Sequence, residues 1–346
     1  MDVLSEVLRV VRLSGVVHFR AEFTRPWSII SSPPEILTTR LMPDAGSVTP
    51  FHVVTLGQCI ARSGTLPDMR LEAGDVIVFP RGDQHILTSH SRLAPTPIKD
   101  IYRKPSTEEI AVVRHGGCGE EDGFICGFLH ADQRFGPLLE SLPAAICIRA
   151  RDGQIELETF SPDSHHSHTI GGGGEVEWWQ ATLRYFQSET ERAGPGNHAV
   201  LARLSELMFM DVMRWQLRAL SDGRTGWLAG LNDPQISRVL ALLHAQPSHP
   251  WTVEELADRA GISRAALAKR FVDLVGEAPI QYLAGWRMHL ARQMLRDSTL
   301  GIGEIAGRIG YESEAAFNRA FKRAVGAPPA QWRRGSTGAD AVPVPH

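Results

Sequence analysis

The sequence predicts a multidomain protein: an N-terminal all-β sandwich or barrel, a middle helical segment, and a C-terminal all-α domain with two helix-turn-helix units. Three observations support this fold class. Residues 1–150 alternate short apolar runs with Gly, Pro and Asp turns, which is typical of many short strands. Residues 175–230 carry apolar side chains three and four positions apart, and a segment near residue 260 is repeated about fifty residues later.

The composition is that of a folded, non-secreted protein. With 346 residues, of which 43% are apolar, the chain is long enough for more than one domain. The N-terminal stretch MDVLSEVLRVVRLSG is interrupted by Glu6, Arg9 and Arg12, so it fits neither a signal peptide nor a membrane span. The four cysteines form no CxxC pair, which favours reduced thiols over a disulfide framework. We therefore expect a cytoplasmic protein without a membrane partner.

Charge is unevenly distributed along the chain, although the formal net charge is only −3. Residues 233–334 contain 14 Lys and Arg against 10 Asp and Glu, whereas the rest of the chain contains 22 against 29. The C-terminal third is therefore the basic part, a pattern compatible with binding to nucleic acid.

Two segments separate the N-terminal and C-terminal domains. Residues 151–174 have few large apolar side chains and contain SPDSHHSHTIGGGG, so we expect a loop or linker there. Residues 175–230 are expected to form a helical bridge or dimerisation segment. Its methionines, Met208, Met210 and Met213, fit a helix core or a dimer seam, and a homodimer is therefore expected.

The repeated segments EELADRAGISRAALAKRFVDLVG and GEIAGRIGYESEAAFNRAFKRAVG share one plan of helix, glycine turn and second helix. Gly261 and Gly310 mark the turns. On each second helix, apolar residues recur four positions apart and form a stripe that faces the core. The stripes are Leu267, Phe271 and Val275 in the first copy and Phe317, Phe321 and Val325 in the second. Each segment is therefore predicted to be a helix-turn-helix unit.

The opposite faces and first turns of these second helices supply the candidate DNA-contacting residues. Arg, Lys and Asn side chains suit base edges and phosphates, and alanine permits close approach to a groove. Glu314 has three open interpretations: contact with a base, an ion pair that holds Arg319, or a charge that stabilises the helix N-terminus. The candidates are Arg264, Ala265, Ala268 and Lys269 in the first unit and Ser313, Glu314, Asn318, Arg319 and Lys322 in the second.

Between the two units, the segment from Pro279 to Arg296 is predicted to be one continuous helix of about 27 Å. Successive major grooves on one face of DNA lie about 34 Å apart. One chain can therefore place two recognition helices in adjacent grooves and read a site without internal two-fold symmetry. The alternative is a helical bundle with a solvated basic face, which explains the charges but not the repeated turn spacing.

Residues 233–334 resemble the DNA-binding domain of the AraC/XylS family of bacterial transcription regulators. The resemblance rests on GEIAGRIGYESEAAFNRAFKRAVGAPPAQWRR, with its order of Ile-Ala, Gly-Tyr, Phe, Phe-Lys and Gly-x-x-Pro. It implies that the first turns of both recognition helices read DNA, and that RNA polymerase is a partner if the protein is an activator. Gly301 and Gly303 depart from the family pattern and predict a soft helix start, and 335–346 is predicted to be a flexible tail.

The segment GDVIVFPRGDQHILTS resembles the second motif of cupin barrels, in which the histidine at the position of His85 points inward and often binds metal. The first cupin motif is degraded here, but His52 lies on a predicted strand where it can also face inward. His115 and Cys126 are further candidate ligands for a zinc or iron ion. Three interpretations stay open: a metal site, an effector pocket without metal, and histidines that only fill a core.

Together these features predict a sequence-specific regulator that binds double-stranded promoter DNA and is not an enzyme. Its cupin-like domain, residues 1–150, is expected to respond to a small-molecule effector. One alternative is a metal-dependent cupin enzyme fused to a DNA-binding domain. The missing His-x-His pair and glutamate of the first cupin motif argue against this enzyme. Another is a structural nucleoid binder, which would ignore sequence and would not need duplicated reading units.

Overall fold

The computed structural model describes residues 3–5, 14–36, 47–103, 109–131, 139, 141–192, 194–219 and 227–339. The chain divides into two compact units. The N-terminal unit spans Val11–Asp222, and the C-terminal unit spans Gly223–His346 together with Met1–Val10.

The N-terminal unit consists of short strands separated by turns, as its alternation of apolar runs with Gly, Pro and Asp predicts. Its strands are β1 (Ser14–Thr24), β2 (Ser28–Ile30), β3 (Ser47–Leu56), β4 (Gln58–Arg62), β5 (Met69–Glu72), β6 (Val76–Val78), β7 (Ile86–Thr88), β8 (Thr96–Pro97), β9 (Ala111–Gly116), β10 (Glu121–Ala131), β11 (Ala145–Arg151), β12 (Gln154–Ser161) and β13 (Ser164–Gly172). Two short helices, α1 (Pro34–Ile36) and α2 (Ile98–Ile101), lie between them in sequence.

These strands form two sheets, with the order β13-β12-β11-β6-β3-β10-β1-β9 in the larger and β5-β4-β7-β2-β8 in the smaller. Strand β1 has a period of two: Phe19, Ala21 and Phe23 are buried and the residues between them are partly exposed. These side chains share one core with side chains of the smaller sheet such as Leu71 and Leu87. The prediction of an all-β N-terminal fold is confirmed in its β-rich, two-sheet architecture.

A β-bulge interrupts the pairing of β1 with β10. The antiparallel pairing of β1 with β10 shifts register between Val17 and Phe19. A bulge turns one side chain away from the direction that regular alternation would give it. As a result, His18 and Phe19 line the same cavity, although they are neighbours in sequence.

The prediction of a loop at 151–174 is wrong, because β12 and β13 form an antiparallel hairpin that ends the larger sheet. Ile155, Leu157 and Phe160 of β12 are buried, whereas the residues of β13 are exposed or partly exposed. A strand at the edge of a sheet has less surface to bury, so it needs few apolar residues. The Ser and His composition of β13 therefore looks like that of a loop.

Helices α3 (Gly174–Glu191) and α4 (Asn197–Ala219) belong to the N-terminal unit and pack on its larger sheet. Helix α4 lies close to β1: a Cβ atom on Gly15 would be 2.6 Å from Cβ of Ser205. Met208 and Met213 are both buried, and Met208 lies beside Phe51 and Leu129 of the larger sheet. Of the two interpretations of these methionines, helix core or dimer seam, Met208 and Met213 thus fit the core, and the predicted bridge at 175–230 is corrected in that α3 and α4 belong to the N-terminal unit.

The C-terminal unit is helical. In the described part of the chain its helices are α5 (Trp227–Asn232), α6 (Pro234–Ala245), α7 (Val253–Ala260), α8 (Arg264–Val275), α9 (Pro279–Asp297), α10 (Ile302–Arg308), α11 (Glu314–Val325) and α12 (Pro329–Ala339). Helices α7 and α8 form the first helix-turn-helix unit, and α10 and α11 form the second.

Both ends of this unit differ from the predicted domain 233–334. Helix α5 already belongs to it, because the indole N–H of Trp227 donates to the hydroxyl of Tyr282 at 3.1 Å. At the other end, α12 continues to Ala339, so the tail predicted at 335–346 is helical as far as that residue. Residues 340–346 lie outside the described residues.

The two recognition helices, α8 and α11, begin in the same way. Ser263 and Ser313 are their N-caps, and each serine hydroxyl accepts a hydrogen bond from a backbone N–H three residues later, at 3.2 Å. Helix α10 has Gly301 as its N-cap residue, which offers no side-chain cap; the soft start stays a prediction.

Helix α9 joins the two units as one continuous element of 19 residues, which is about 28 Å long. Near its start, Tyr282 contacts Phe271 of α8, with ring centroids 5.8 Å apart. Further along, Met288 and Leu295 belong to the core of the second unit, which also contains Phe317. Both recognition helices are thus packed against the same rigid element.

The turn glycines of the two repeats provide a matched pair for testing this packing. Both have a left-handed backbone, with φ of 73° at Gly261 and 85° at Gly310. A Cβ atom on Gly261 would meet nothing within 4 Å, whereas one on Gly310 would lie 2.5 Å from the carbonyl oxygen of Ser248. We predict that Gly261→Ala costs about 1–2 kcal/mol of unfolding free energy from the backbone alone. We predict that Gly310→Ala costs about 1–3 kcal/mol more, because the backbone of Ser248 must move.

Urea unfolding of the two variants, compared with the wild type, measures this difference. Equal losses of unfolding free energy would show that the close approach at Gly310 does not constrain the fold.

Candidate functional site

A cavity of about 240 Å³ opens in the N-terminal unit, lined by residues of both sheets and of α1 and α2. Most of its lining is apolar and includes Phe19, Phe23, Leu87 and Phe128. The two histidines predicted to face inward, His52 and His85, both line it, as does Cys126. The sequence-based candidates for an effector site therefore meet in one place.

These three side chains form a hydrogen-bonded chain. The Nε2 atoms of His52 and His85 are 2.7 Å apart, and Nδ1 of His52 is 3.0 Å from Sγ of Cys126. Cys126 lies directly opposite His52 in the pairing of β10 with β3, which accounts for their contact. The ring of His85 stacks on Phe79 with centroids 3.9 Å apart. Its orientation is therefore fixed by packing as well as by hydrogen bonds.

The direction of each hydrogen bond in this chain follows from its last acceptor. Nδ1 of His85 is 2.8 Å from the backbone carbonyl oxygen of Asp83, which can only accept. In a neutral His85, Nδ1 therefore carries the proton and Nε2 accepts from Nε2–H of His52. Nδ1 of His52 then accepts from the thiol of Cys126. Every ring nitrogen of the two histidines thus has a partner within the protein.

Burial keeps the hydrogen-bonded side chains of His52, His85 and Cys126 uncharged. Desolvation lowers the pKa of His52 well below its usual value, with a further lowering by the charge of His85. Desolvation also lowers the pKa of His85 to about 4, against a smaller opposing effect of its bond to Asp83. Burial raises the pKa of the Cys126 thiol. At neutral pH all three groups are therefore neutral.

The predicted metal ligands do not fit a metal ion. Both nitrogens of His52 are occupied by hydrogen bonds to Cys126 and His85. His115 lies on β9 and contacts Phe23, with ring centroids 6.4 Å apart, and it does not line the cavity. Among the described residues, no group of three or more His, Cys, Asp or Glu side chains is placed to hold a metal. The metal interpretation of His52, His85, His115 and Cys126 is therefore not supported by their geometry.

Three other polar side chains line the cavity near α2: His18, Lys99 and Tyr102. The rings of His18 and Tyr102 are stacked with centroids 4.3 Å apart. Desolvation lowers the pKa of His18 to about 4. None of these three residues was predicted from the sequence. Their only signal is the bulge at His18 and a four-residue helix, neither of which a periodic pattern reveals.

The candidate DNA-contacting residues lie on the outer surfaces of α8 and α11. Eight of the nine are exposed, and Asn318 is partly exposed. Of the stripes predicted for these helices, Leu267, Phe271 and Val275 are buried in α8 and Phe317 and Phe321 in α11, whereas Val325 is only partly buried against the same core. The sequence therefore separated the core face from the outer face of both helices correctly.

The cations of the first recognition helix are held in ion pairs. Arg264 pairs with Glu254 at 2.8 Å, and Lys269 pairs with Asp273 at 2.6 Å. In the second copy, aligned on the N-cap serines, Arg319 takes the place of Lys269 and Arg323 takes the place of Asp273. Within the described part of the chain, Arg319 and Lys322 have no ion-pair partner.

Glu314 does not hold Arg319. Its carboxylate lies over the first turn of α10, where a Cβ atom on Gly303 would be 2.9 Å from Oε2 of Glu314. When the first helices of the repeats are aligned on the turn glycines, Glu254 stands at the position of Gly303, and when the second helices are aligned on the N-cap serines, Arg264 stands at that of Glu314. The departure from the family pattern at Gly303 therefore has a physical reason, since it leaves room for the Glu314 carboxylate.

Comparison with known proteins agrees with both halves of this description. A cupin family model matches residues 2–160, and a helix-turn-helix domain model matches residues 256–335. The chain is 32% identical to the HTH-type transcriptional regulator AlkR of Acinetobacter baylyi over 82% of this chain and 87% of that protein. It is 31% identical to a putative AraC-like transcription regulator of Streptomyces lividans, over 85% of this chain and 89% of that protein. The chain belongs to the AraC family of transcription regulators.

This AraC-family regulator combines a cupin-like sensor domain with a double helix-turn-helix domain that binds DNA. The predicted fold class and the predicted regulatory function are thereby confirmed. Among solved structures, the DNA-binding domain of AdpA in complex with a target DNA is 33% identical. That match covers 32% of this chain and 99% of that one, with a TM-score of 0.30. No helix in the described ranges is long and apolar enough to cross a membrane.

The buried histidines make the stability of the N-terminal unit depend on pH. The folded-state pKa of His85, about 4, lies below its unfolded value of about 6.5, so between these values the unfolded state binds more protons. Stability from this group is fully present above pH 6.5 and is lost as the pH falls toward 4. We predict that His85 alone lowers the unfolding free energy by about 2 kcal/mol between pH 7 and pH 5.

Urea unfolding of the wild type and of His85→Gln at both pH values checks this. The variant should lose less stability on acidification than the wild type does. His90→Gln, at an exposed histidine, is the control and should behave like the wild type. A wild-type pH dependence in His85→Gln would contradict the assignment.

Proposed function

We propose that this regulator binds a small-molecule effector in the cavity of its cupin-like domain, and that binding changes its activity on promoter DNA. The observation that supports this most directly is the cavity itself, about 240 Å³ in volume and lined by apolar side chains with a few polar groups. We further propose that the domain acts as a sensor and has no catalytic role. The complete use of both His52 nitrogens within the protein supports that view.

A cavity-filling variant tests this proposal. Leu87 is buried and lines the cavity, so Leu87→Trp should occupy the space an effector needs. In a thermal-shift screen of small molecules, compounds that stabilise the full-length wild type should fail to stabilise Leu87→Trp. Both proteins should bind the same DNA without ligand. Stabilisation of both proteins by the same compounds would place the effector site elsewhere.

We propose that the second recognition helix supplies most of the sequence discrimination. Asn318 can pair with adenine and Arg319 with guanine, and Arg319 needs no rearrangement because no ion pair restrains it. In the first helix, Ala265 and Ala268 offer no hydrogen-bonding groups. Arg264 and Lys269 must leave Glu254 and Asp273 before they can contact DNA. The first helix therefore fits a positioning role better than a reading role.

We predict that Arg319→Ala relaxes base preference in one half of the site, because a good bidentate contact is worth about 1–3 kcal/mol of discrimination. Lys322→Ala should weaken binding to all sequences alike and reduce the salt dependence by about one phosphate contact. Lys269→Ala, at the position aligned with Arg319, is the matched control and should change preference less.

A binding selection on randomised DNA, with the wild type and the three variants, measures these effects. If Arg319→Ala keeps the wild-type preference at every base, or if Lys269→Ala changes preference more, the second helix is not the main reader.

We propose a cytoplasmic homodimer that contacts RNA polymerase if it is an activator. Trp178 and Tyr185 support self-association, because they lie seven residues apart on α3 and are 39% and 45% exposed. Sedimentation of the full-length protein, with and without alanine at both positions, tests this surface. A dimeric wild type and a monomeric double-alanine variant would support this surface, whereas equal sedimentation of both proteins would contradict it.

A further inference from the structure

Besides Ser31 and Ser32, the polar side chains that line the cavity form two groups. On one wall, His52, His85 and Cys126 form the hydrogen-bonded chain that ends on the carbonyl of Asp83, and this chain needs nothing from a ligand. The wall formed by α2 and the β1 bulge is different. Among the described residues, the ring nitrogens of His18, the ammonium of Lys99 and the hydroxyl of Tyr102 have no hydrogen-bond partner, so these groups can donate to a ligand.

These free groups lie together. The ring of Tyr102 stacks on that of His18, and Tyr102 follows Lys99 by three residues, at the end of α2. The bulge in β1 turns His18 into the cavity beside Phe19. One end of the cavity therefore presents a cation and two neutral hydrogen-bonding groups, while Phe19, Phe23 and Leu87 provide an apolar lining.

The cation has no counter-charge in the cavity. No acidic side chain of the described residues lines it, and its histidines are neutral at neutral pH because burial lowers their pKa. Lys99 lines the cavity but is itself exposed, so water screens part of its attraction for an anion, while the apolar walls hold the rest of the ligand. The ligand that matches this arrangement carries one negative charge.

We propose, as a refinement that rests on the proposed function, that the effector is an organic monocarboxylate with an apolar body. Its carboxylate accepts from Lys99, with Tyr102 and His18 as neutral donors, and its apolar body lies between Phe19, Phe23 and Leu87. A sugar would need polar partners all around it, and the apolar lining does not supply them. An amino acid would need an acidic partner for its ammonium group, and none of the described lining residues provides one.

The size of the cavity limits the length of this ligand. A volume of about 240 Å³ lies near the lower end of the roughly 300–1,000 Å³ of small-molecule sites, so a short ligand is expected. Octanoate and 4-phenylbutyrate are suitable aliphatic and aromatic probes. Their matched controls are octanamide and 4-phenylbutanamide, which keep the shape and remove the charge.

Calorimetric titration of the full-length protein at pH 7 tests the proposal. At least one of the two acids should bind about tenfold more tightly than its amide. The reason is that a hydrogen bond to a charged group is stronger than one between neutral groups. Lys99→Met should reduce the affinity for the acid to that for the amide and leave the amide unchanged. Arg103→Met is the control: Arg103 is an exposed cation near Lys99 in sequence that does not line the cavity, so the preference for the acid should persist.

Each other outcome overturns the inference in a distinguishable way. If the amides bind as tightly as the acids, or if Lys99→Met keeps the preference for the acid, the inference is wrong. The proposed effector site then still stands, provided that Leu87→Trp abolishes binding. If the acids and amides all fail to bind, the inference is also wrong. If acid binding survives in Leu87→Trp, the effector cavity itself is refuted.

Discussion

The rigid helix α9 is the constraint on which the DNA-binding half depends. Its first part packs on α8 through Tyr282, and its later part contributes Met288 and Leu295 to the core around α11. The spacing of the two recognition helices is therefore set by one continuous helix of about 28 Å rather than by a flexible linker. This length suits adjacent major grooves, which lie about 34 Å apart. The two repeats carry different residues at equivalent positions, such as Lys269 and Arg319, so the surfaces of α8 and α11 that face DNA differ in their hydrogen-bonding groups and ion pairs.

The sensor half depends on a contrast between two sets of polar side chains in its cavity. One set is hydrogen-bonded within the protein, and the other is not. The chain from Cys126 through His52 to His85 satisfies its own hydrogen bonds and stays neutral because burial lowers the histidine pKa values. A histidine pair of this kind shapes the cavity without offering ligands to a metal. Recognition is left to the wall near Lys99, where free donors and a single positive charge remain.

Periodic features of the sequence predicted the structure well, and irregular features did not. The stripe of Phe317 and Phe321 identified the second recognition helix, and the turn before His85 placed that residue in the cavity. The strand β13 was missed because an edge strand can be polar. The methionine face of α4 was left open between a helix core and a dimer seam, because sequence alone does not reveal which surface covers it. The wall of His18 and Lys99 depends on a bulge and a four-residue helix, which leave no periodic signal.

The most direct test of the account is the spacing of the DNA site. Once a footprint has located the two segments read by one chain, about 5 base pairs, or half a helical turn, can be inserted between them. Because α9 is rigid, we predict that this insertion raises the Kd by about a factor of ten or more, since it removes the contacts of one recognition helix. An insertion of the same length outside the site should have no effect. Unchanged affinity for the internally interrupted site would contradict the claim that one chain reads two adjacent grooves through a fixed helix.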